Sequence, residues 1–267
     1  MRRFLSLAVL FLVPAIASAS TVILTDDTYV SARQGSKNFN SGHDPALEVS
    51  GEATALMRFD FSALPAGTSS HLVLKATLVV FVNDLGAAGS FDVLRVQSPW
   101  NEETVTGSTA PAAVPAVSAV PVNAESKFVA IDVTAAVRDW IDGLPNYGFA
   151  IRPAAGSSLE MALDSKESIG TSHEARIDIA LCGAGSTFYR DADSDGYGSA
   201  SSSTTACATP DGYVSRAGDC DDSNAAVNPE ASEACNGADD NCDGTADEGV
   251  GSMFYRDADG DGFGTAT

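Results

Sequence analysis

The chain has 267 residues, 15 Lys and Arg against 36 Asp and Glu, and a formal net charge of −21. Apolar residues make up 44% of it, enough for a buried core and too many for a wholly disordered chain. The shortage of bases excludes a phosphate-binding surface, for nucleic acid or anionic lipid alike, because such surfaces need clustered Lys and Arg.

The chain opens with Met1-Arg2-Arg3, an apolar run from Phe4 to Ile16, and the small residues Ala17-Ser18-Ala19. This is the pattern of a secretory signal peptide over residues 1–19. The run is too short for a bilayer span, and Pro14 interrupts it. The mature protein is therefore expected to be exported, secreted or at the cell surface, with no membrane insertion after cleavage. Its cysteines would meet an oxidising compartment and its carboxylates a calcium-rich one.

Residues 20–181 read as an all-β domain, a β-sandwich or jelly-roll-like fold with one short helix. Strands are predicted at Thr21–Leu24, Thr28–Ala32, Ala46–Val49, Ala53–Phe61 and His71–Asn83. Further strands are predicted at Ser90–Gln97, Lys127–Val133, Gly148–Arg152, Glu160–Leu163 and Glu174–Leu181. Met57 to Phe61 alternate apolar with polar, as a half-buried antiparallel strand should. Val133, Ala136, Val137, Trp140 and Ile141 instead fall on one face of a short helix, with Asp132 or Thr134 to cap it and Gly143 to end it. Trp140 is expected in the core. The Ala- and Pro-rich stretch Ala110–Val122 is expected to be a surface loop, since its prolines cannot serve a central strand.

Sugar sites need flat aromatic faces beside convergent polar groups. Trp100 with Glu102 is the main candidate of that kind, with Tyr147 beside Asn146 and Phe39 between Asn38 and Asn40 as lesser ones. No catalytic constellation emerges. His43, His71 and His173 sit in no zinc spacing, and there is no nucleophile elbow or phosphate loop. The chain is read as a non-enzyme.

A linker, residues 182–186, leads to an acidic repeat. Residues 187–267 hold 17 acids and 3 bases. Thr187–Ser201 recurs as Met253–Thr267, which gives one full copy over 187–250 and the start of a second over 251–267. A repeat broken there suggests a longer natural protein. Asp191, Asp193 and Asp195 before Gly196 give oxygen ligands at alternate positions and then a sharp turn, the first half of a calcium loop. Ser202 stands where an EF-hand needs its bidentate Glu, so the remaining ligands are expected from Asp219, Asp221 and Asp222. Asp239, Asn241 and Asp243 with Asp247 and Glu248 repeat the logic, in a spacing that looks like thrombospondin type 3 loops. The second copy supplies Asp257, Asp259 and Asp261. Calcium is expected over copper, because residues 187–267 contain no His and only one Met. Four of the five cysteines, Cys207, Cys220, Cys235 and Cys242, lie in the repeat and are candidates for two disulfides of open pairing. Cys182 is left over. Bridges and metal would stabilise a small, loop-rich region with little apolar material of its own.

Several motifs in order resemble a known family. They are Asp27-Thr28-Tyr29-Val30; Leu56 to Asp60 followed by Leu64-Pro65-Ala66-Gly67; Trp100 to Thr106; and Ile131 to Trp140 with Gly148 to Ile151. Together they resemble the DNRLRE-type carbohydrate-binding module, family 96. The resemblance implies a β-sandwich that binds extracellular polysaccharide without cleaving it. The chain departs from the pattern at Gly107, where members often carry Trp. The acidic segment resembles the metal-binding repeat named for the surface protein MopE. The expected function is a secreted or surface protein that binds polysaccharide, with calcium-binding repeats as a spacer. A purely structural or adhesive protein, or an accessory part of a polysaccharide-degrading enzyme with its catalytic region beyond residue 267, are the alternatives.

Overall fold

The computed structural model describes residues 18–170, 173–251 and 256–257. The chain divides into two compact units, Met1–Gly185 and Ser186–Thr267.

The first unit is built from β1 (Ser18–Ser31), β2 (Ala46–Val49), β3 (Ala53–Asp60), β4 (Val73–Ala87) and β5 (Gly89–Val96). It continues with β6 (Ala113–Val122), β7 (Lys127–Asp132), helix α1 (Thr134–Ile141), β8 (Phe149–Pro153), β9 (Glu160–Asp164) and β10 (Arg176–Leu181). The hydrogen-bonded order is β2-β9-β4-β10-β1-β3-β8-β5-β6, and β7 also pairs with β4. The long β4 lets the sheet fold over. Its first half pairs with β10, its middle with β7, and its end with β9 across register shifts at Val82/Asp84 and Leu85/Ala87. Such irregularities bend a strand and increase its twist. The result is the expected β-sandwich. Val22, Met57, Leu78, Val80, Phe91, Ile151, Leu163 and Ile177 fill its interior.

The first two predicted strands are one. β1 runs unbroken through Thr25 to Asp27, because a register shift between Leu24 and Asp26 against β3 absorbs the irregularity. Ser18 and Ala19 already pair with Leu181 and Ala180, so a cut after Ala19 would remove only the start of this strand. Helix α1 forms where the spacing places it. Asp132 accepts from the Thr134 N–H and hydroxyl at 3.0 and 2.6 Å, which fixes its start. Trp140 is buried against Phe149 and Phe61, with ring centroids 4.7 and 5.6 Å away.

Ala110–Val122 is not a loop. Most of it is β6, paired antiparallel with β5 at the edge of the sheet. Pro115 and Pro121 are tolerated because an edge strand needs ladder hydrogen bonds on one side only.

A second, smaller core lies apart from the sandwich interior. Val30, Leu56, Leu94, Val96 and Ala150 form it, with Trp100 and Val105 from the segment after β5. Gly107 belongs to this segment's fit. A Cβ there would lie 1.8 Å from the Ser31 carbonyl oxygen. The departure from the family pattern is therefore required by close backbone approach.

Among the described residues the second unit has a four-stranded sheet in the order β13-β11-β12-β14, made of β11 (Ser186–Arg190), β12 (Gly198–Ala206), β13 (Tyr213–Val214) and β14 (Ala217–Asp219). Among the described residues, Phe188, Tyr197, Ala206 and Val227 are its buried apolar residues.

Gly107→Ala is expected to destabilise the sandwich by about 2 kcal/mol or more, since backbone must move to admit one methyl. Urea denaturation of the two proteins would measure it.

Candidate functional site

Lys166 is the centre of a buried polar cluster in the sandwich. Its Nζ donates to Glu102 Oε1 at 2.6 Å and to Glu167 Oε1, and lies 3.8 Å from Asp27 Oδ1. Its backbone N–H donates to Asp27 Oδ2 at 2.9 Å, while the Asp27 N–H donates to Glu102 Oε1, also at 2.9 Å. Asp27 is 1% exposed. Burial pushes its pKa up to about 8, and the neighbouring Glu167 adds to the shift. Glu167 moves the other way. Burial opposes its ionisation, but hydrogen bonds from Lys166, Ser165 and Asp27 outweigh that and hold it below the usual carboxylate range. For Lys166 burial acts against the charge, and its bonds to Glu102 and Glu167 more than offset it, so its pKa is raised. The pair Asp27 and Glu167 thus shares one proton, and Asp27 Oδ1, which has no N–H partner, is where that proton belongs.

This cluster redefines the expected sugar residues. Trp100 is 7% exposed. Its indole N–H donates to the Tyr147 carbonyl at 2.8 Å, and the Arg58 guanidinium lies 5.4 Å from its ring centre. Only part of it lines a shallow depression with Pro99, Asn101, Thr104, Val105 and Thr109. The Glu102 carboxylate is committed to Asp27 and Lys166, and Tyr147 is half-buried against the second core. Trp100, Glu102 and Tyr147 therefore shape the fold and do not form an open sugar platform. Their effect falls on the loop before β2. The Asn40 amide donates to the Glu102 and Val105 carbonyls at 2.6 and 2.8 Å. Ser108 donates to Asn38 Oδ1 at 2.6 Å and, through its N–H, to the Lys37 carbonyl at 3.1 Å. Phe39 sits between these anchors and is exposed.

Among the described residues the second unit holds two acidic loops of the same build. In the first, between β11 and β12, Asp191 accepts from the Ser194 and Gly196 N–H groups at 2.7 and 3.2 Å. Asp193 accepts from the Asp195 N–H, and Asp195 from that of Tyr197. One oxygen from each of Asp191, Asp193 and Asp195 lies within 4.8 Å of the others. Gly196 takes a φ of 95°, a turn that suits glycine. The parallel pairing of β14 with β12 sets Asp219 opposite Ser199, beside this loop. Asp219 is 6% exposed, and its Oδ2 has no hydrogen-bond partner. Burial raises its pKa, and the charges of Asp195, Asp193 and Asp222 raise it further. Asp193 is raised likewise, by desolvation and by Asp195, Asp191 and Asp222. Asp222 reaches the loop by accepting from the Ala192 N–H at 2.8 Å. Asp221 is exposed and accepts from the Ser223 hydroxyl.

In the second loop Asp239 accepts from the Asp243 and Gly244 N–H groups, Asn241 from that of Asp243, and Asp243 from that of Thr245. Gly244 has a φ of 97°. The Asn241 amide donates to Glu248, whose Oε2 is buried without a partner. Asp247 instead accepts from the Asn236 and Gly237 N–H groups, both at 2.9 Å. Asp257 is exposed, and Asp259 and Asp261 lie outside the described residues. Unpartnered, buried carboxylate oxygens on Asp193, Asp195 and Asp219 suit a hard cation that accepts oxygen ligands.

The family model of carbohydrate-binding module family 96 matches residues 18–178. The chain belongs to carbohydrate-binding module family 96. A second model, described as "Putative metal-binding motif", matches residues 219–248. No curated protein matches the chain. The family 96 match spans the sandwich, including the cluster around Lys166, and its Trp100-to-Glu102 motif is the part that carries Asn40. The metal-binding match takes in Asp219 and the second loop, while Asp191 to Asp195 lie before it.

The cysteines correct the four-in-repeat scheme. Cys220 and Cys242 form a disulfide with Cα atoms 5.7 Å apart. Cys182 and Cys207 are each disulfide-bonded as well, and Cys235 is a free, exposed thiol. Cys220 stands between Asp219 and Asp221, and Cys242 between Asn241 and Asp243, so their bridge ties the segment that supplies Asp219 to the second loop. Sequence reasoning missed Lys166, because an isolated Lys between Ser165 and Glu167 reads as a surface turn.

Asp27 keeps its proton in the folded state and loses it near pH 4 in the unfolded state. Between those pH values the folded state binds more protons, so stability falls as pH rises from about 4 towards about 8. Asp27→Asn, which cannot ionise, is expected to flatten that slope by up to about 1.4 kcal/mol per pH unit. Urea denaturation of both proteins at pH 5, 6.5 and 8 would measure it.

Proposed function

We propose that this is an exported, non-catalytic protein whose sandwich binds extracellular polysaccharide and whose second unit binds calcium, as a metal-stabilised spacer or surface attachment. Membership of family 96 across the sandwich carries the first part. The signal-like start and the presence of disulfides favour export.

The calcium assignment rests on Asp219. A carboxylate this buried, with the charges of Asp193, Asp195 and Asp222 acting on it, is costly to leave unneutralised. All the donors are hard oxygens, which suits Ca²⁺ over copper. Asp191, Asp193, Asp195, Asp219 and Asp222 would hold one ion, and Asp239, Asn241, Asp243 and Glu248 a second. Among the described residues no helix is long and apolar enough to cross a membrane.

Isothermal titration of the chelator-stripped chain with calcium is expected to show binding that Asp219→Asn weakens at least tenfold and Asp221→Asn leaves nearly unchanged. Equal loss in both variants, or tighter binding of copper, would refute the assignment. At calcium a hundredfold above its Kd, the bound unit should gain about 2.7 kcal/mol, seen as a higher Tm that chelation reverses. Affinity electrophoresis of the full chain through polysaccharide gels tests the sandwich, where migration unchanged by every glycan would sink the binding claim.

A further inference from the structure

The loop anchored by Asn38 and Asn40 forms one wall of a cleft of about 650 Å³ in the sandwich. Phe39 stands on that wall with 68% of its surface exposed. A ring so open on an otherwise polar loop loses hydrophobic stabilisation unless something covers it. Its backbone is held from both sides, so a partner would meet it already ordered. Tyr29 reaches the same cleft from β1, half-buried, with its hydroxyl beside Ser41 and Asp44. A sugar ring presents a C–H face to stack on an aromatic and hydroxyls to pair with fixed polar groups, and this wall offers both.

The remaining lining fixes the sign of the charge. Asp44, Glu48, Glu52, Asp84 and Glu160 all line the cleft. Arg33 is the one base among its lining residues, and Glu52 already holds it at 3.2 Å. The potential inside is therefore negative. A polymer bearing carboxylates or sulfates would be repelled there. Groups that donate hydrogen bonds, hydroxyl or ammonium, would find charged acceptors, which make the stronger kind of hydrogen bond.

We propose that this cleft is the glycan site and that it selects a non-acidic polysaccharide, stacked on Phe39 and donating to the Glu48 and Glu160 side. The proposal rests on the reading that the sandwich binds polysaccharide, and it places the site away from Trp100.

Affinity electrophoresis of the full chain would use gels containing hydroxyethyl cellulose, glycol chitosan or polygalacturonate. We expect retardation by one or both of the first two and none by the third. Retention on the amine polymer should weaken with added salt, and retention on the neutral one should not, which separates ammonium from hydroxyl donors. Phe39→Ala is expected to lower affinity at least tenfold with an unchanged Tm. Phe128→Ala, at an exposed ring outside the cleft, should leave it intact. Were Phe39→Ala to melt early, Glu48→Gln, at an exposed side chain, carries the same test through a several-fold loss. Preference for polygalacturonate would overturn the proposal, as would full affinity in both cleft variants. That second result would leave polysaccharide binding standing and remove only the cleft. Failure to be retained by any of the polymers would remove both.

Discussion

Lys166 sets its ammonium among Glu102, Glu167 and Asp27, and so joins three stretches of chain that are far apart in sequence. One is the middle of β1, one is the segment that carries Trp100, and one is the turn after β9. The ammonium alone does not balance the charge, since three carboxylates face one cation. The proton on Asp27 cuts the excess from two negative charges to one. The segment between β5 and β6 is thereby pinned from below by Trp100 in the second core and from the side by Glu102. The loop before β2 then takes its position from that segment through Asn40 and Asn38. A buried ion cluster is weak support for net stability, because desolvation offsets most of the attraction. Its effect here is positional, and it shows at the surface as a fixed Phe39.

Strand alternation and turn residues in the sequence were enough to place most of the sandwich, and the 3.6-residue spacing of Val133 to Ile141 was enough to place α1. What escaped was decided by neighbours. Prolines in β6 argued against a strand only on the assumption that both its edges are paired. Trp100 looked open because Pro, Asn and Glu surround it, yet the face it covers belongs to β3, β5 and β8, which no local window contains. Phe39 was a lesser candidate, and the Asn residues on both sides of it anchor its loop. The acidic loops were legible because each is built from consecutive residues. The burial of Asp219 and the bond from the Ala192 N–H to Asp222 were not, since they depend on how β14 pairs with β12 and on which way successive side chains point.

The two acidic loops share one device. The first aspartate of each loop, Asp191 or Asp239, holds backbone N–H groups with both oxygens, and the two later positions hold one with a single oxygen each, so the chain bends into shape without an ion. At Asp193 and Asp195 the other oxygen is buried and left over. Shape and charge are thereby assigned to different atoms of the same side chain. Asparagine at such a position keeps the shape and gives up the charge. The second loop already does this, with Asn241 where the first has Asp193, and the same bond from the residue two further on. A chain that repeats this unit can therefore drift in affinity from loop to loop, one amide at a time, while every turn keeps its form.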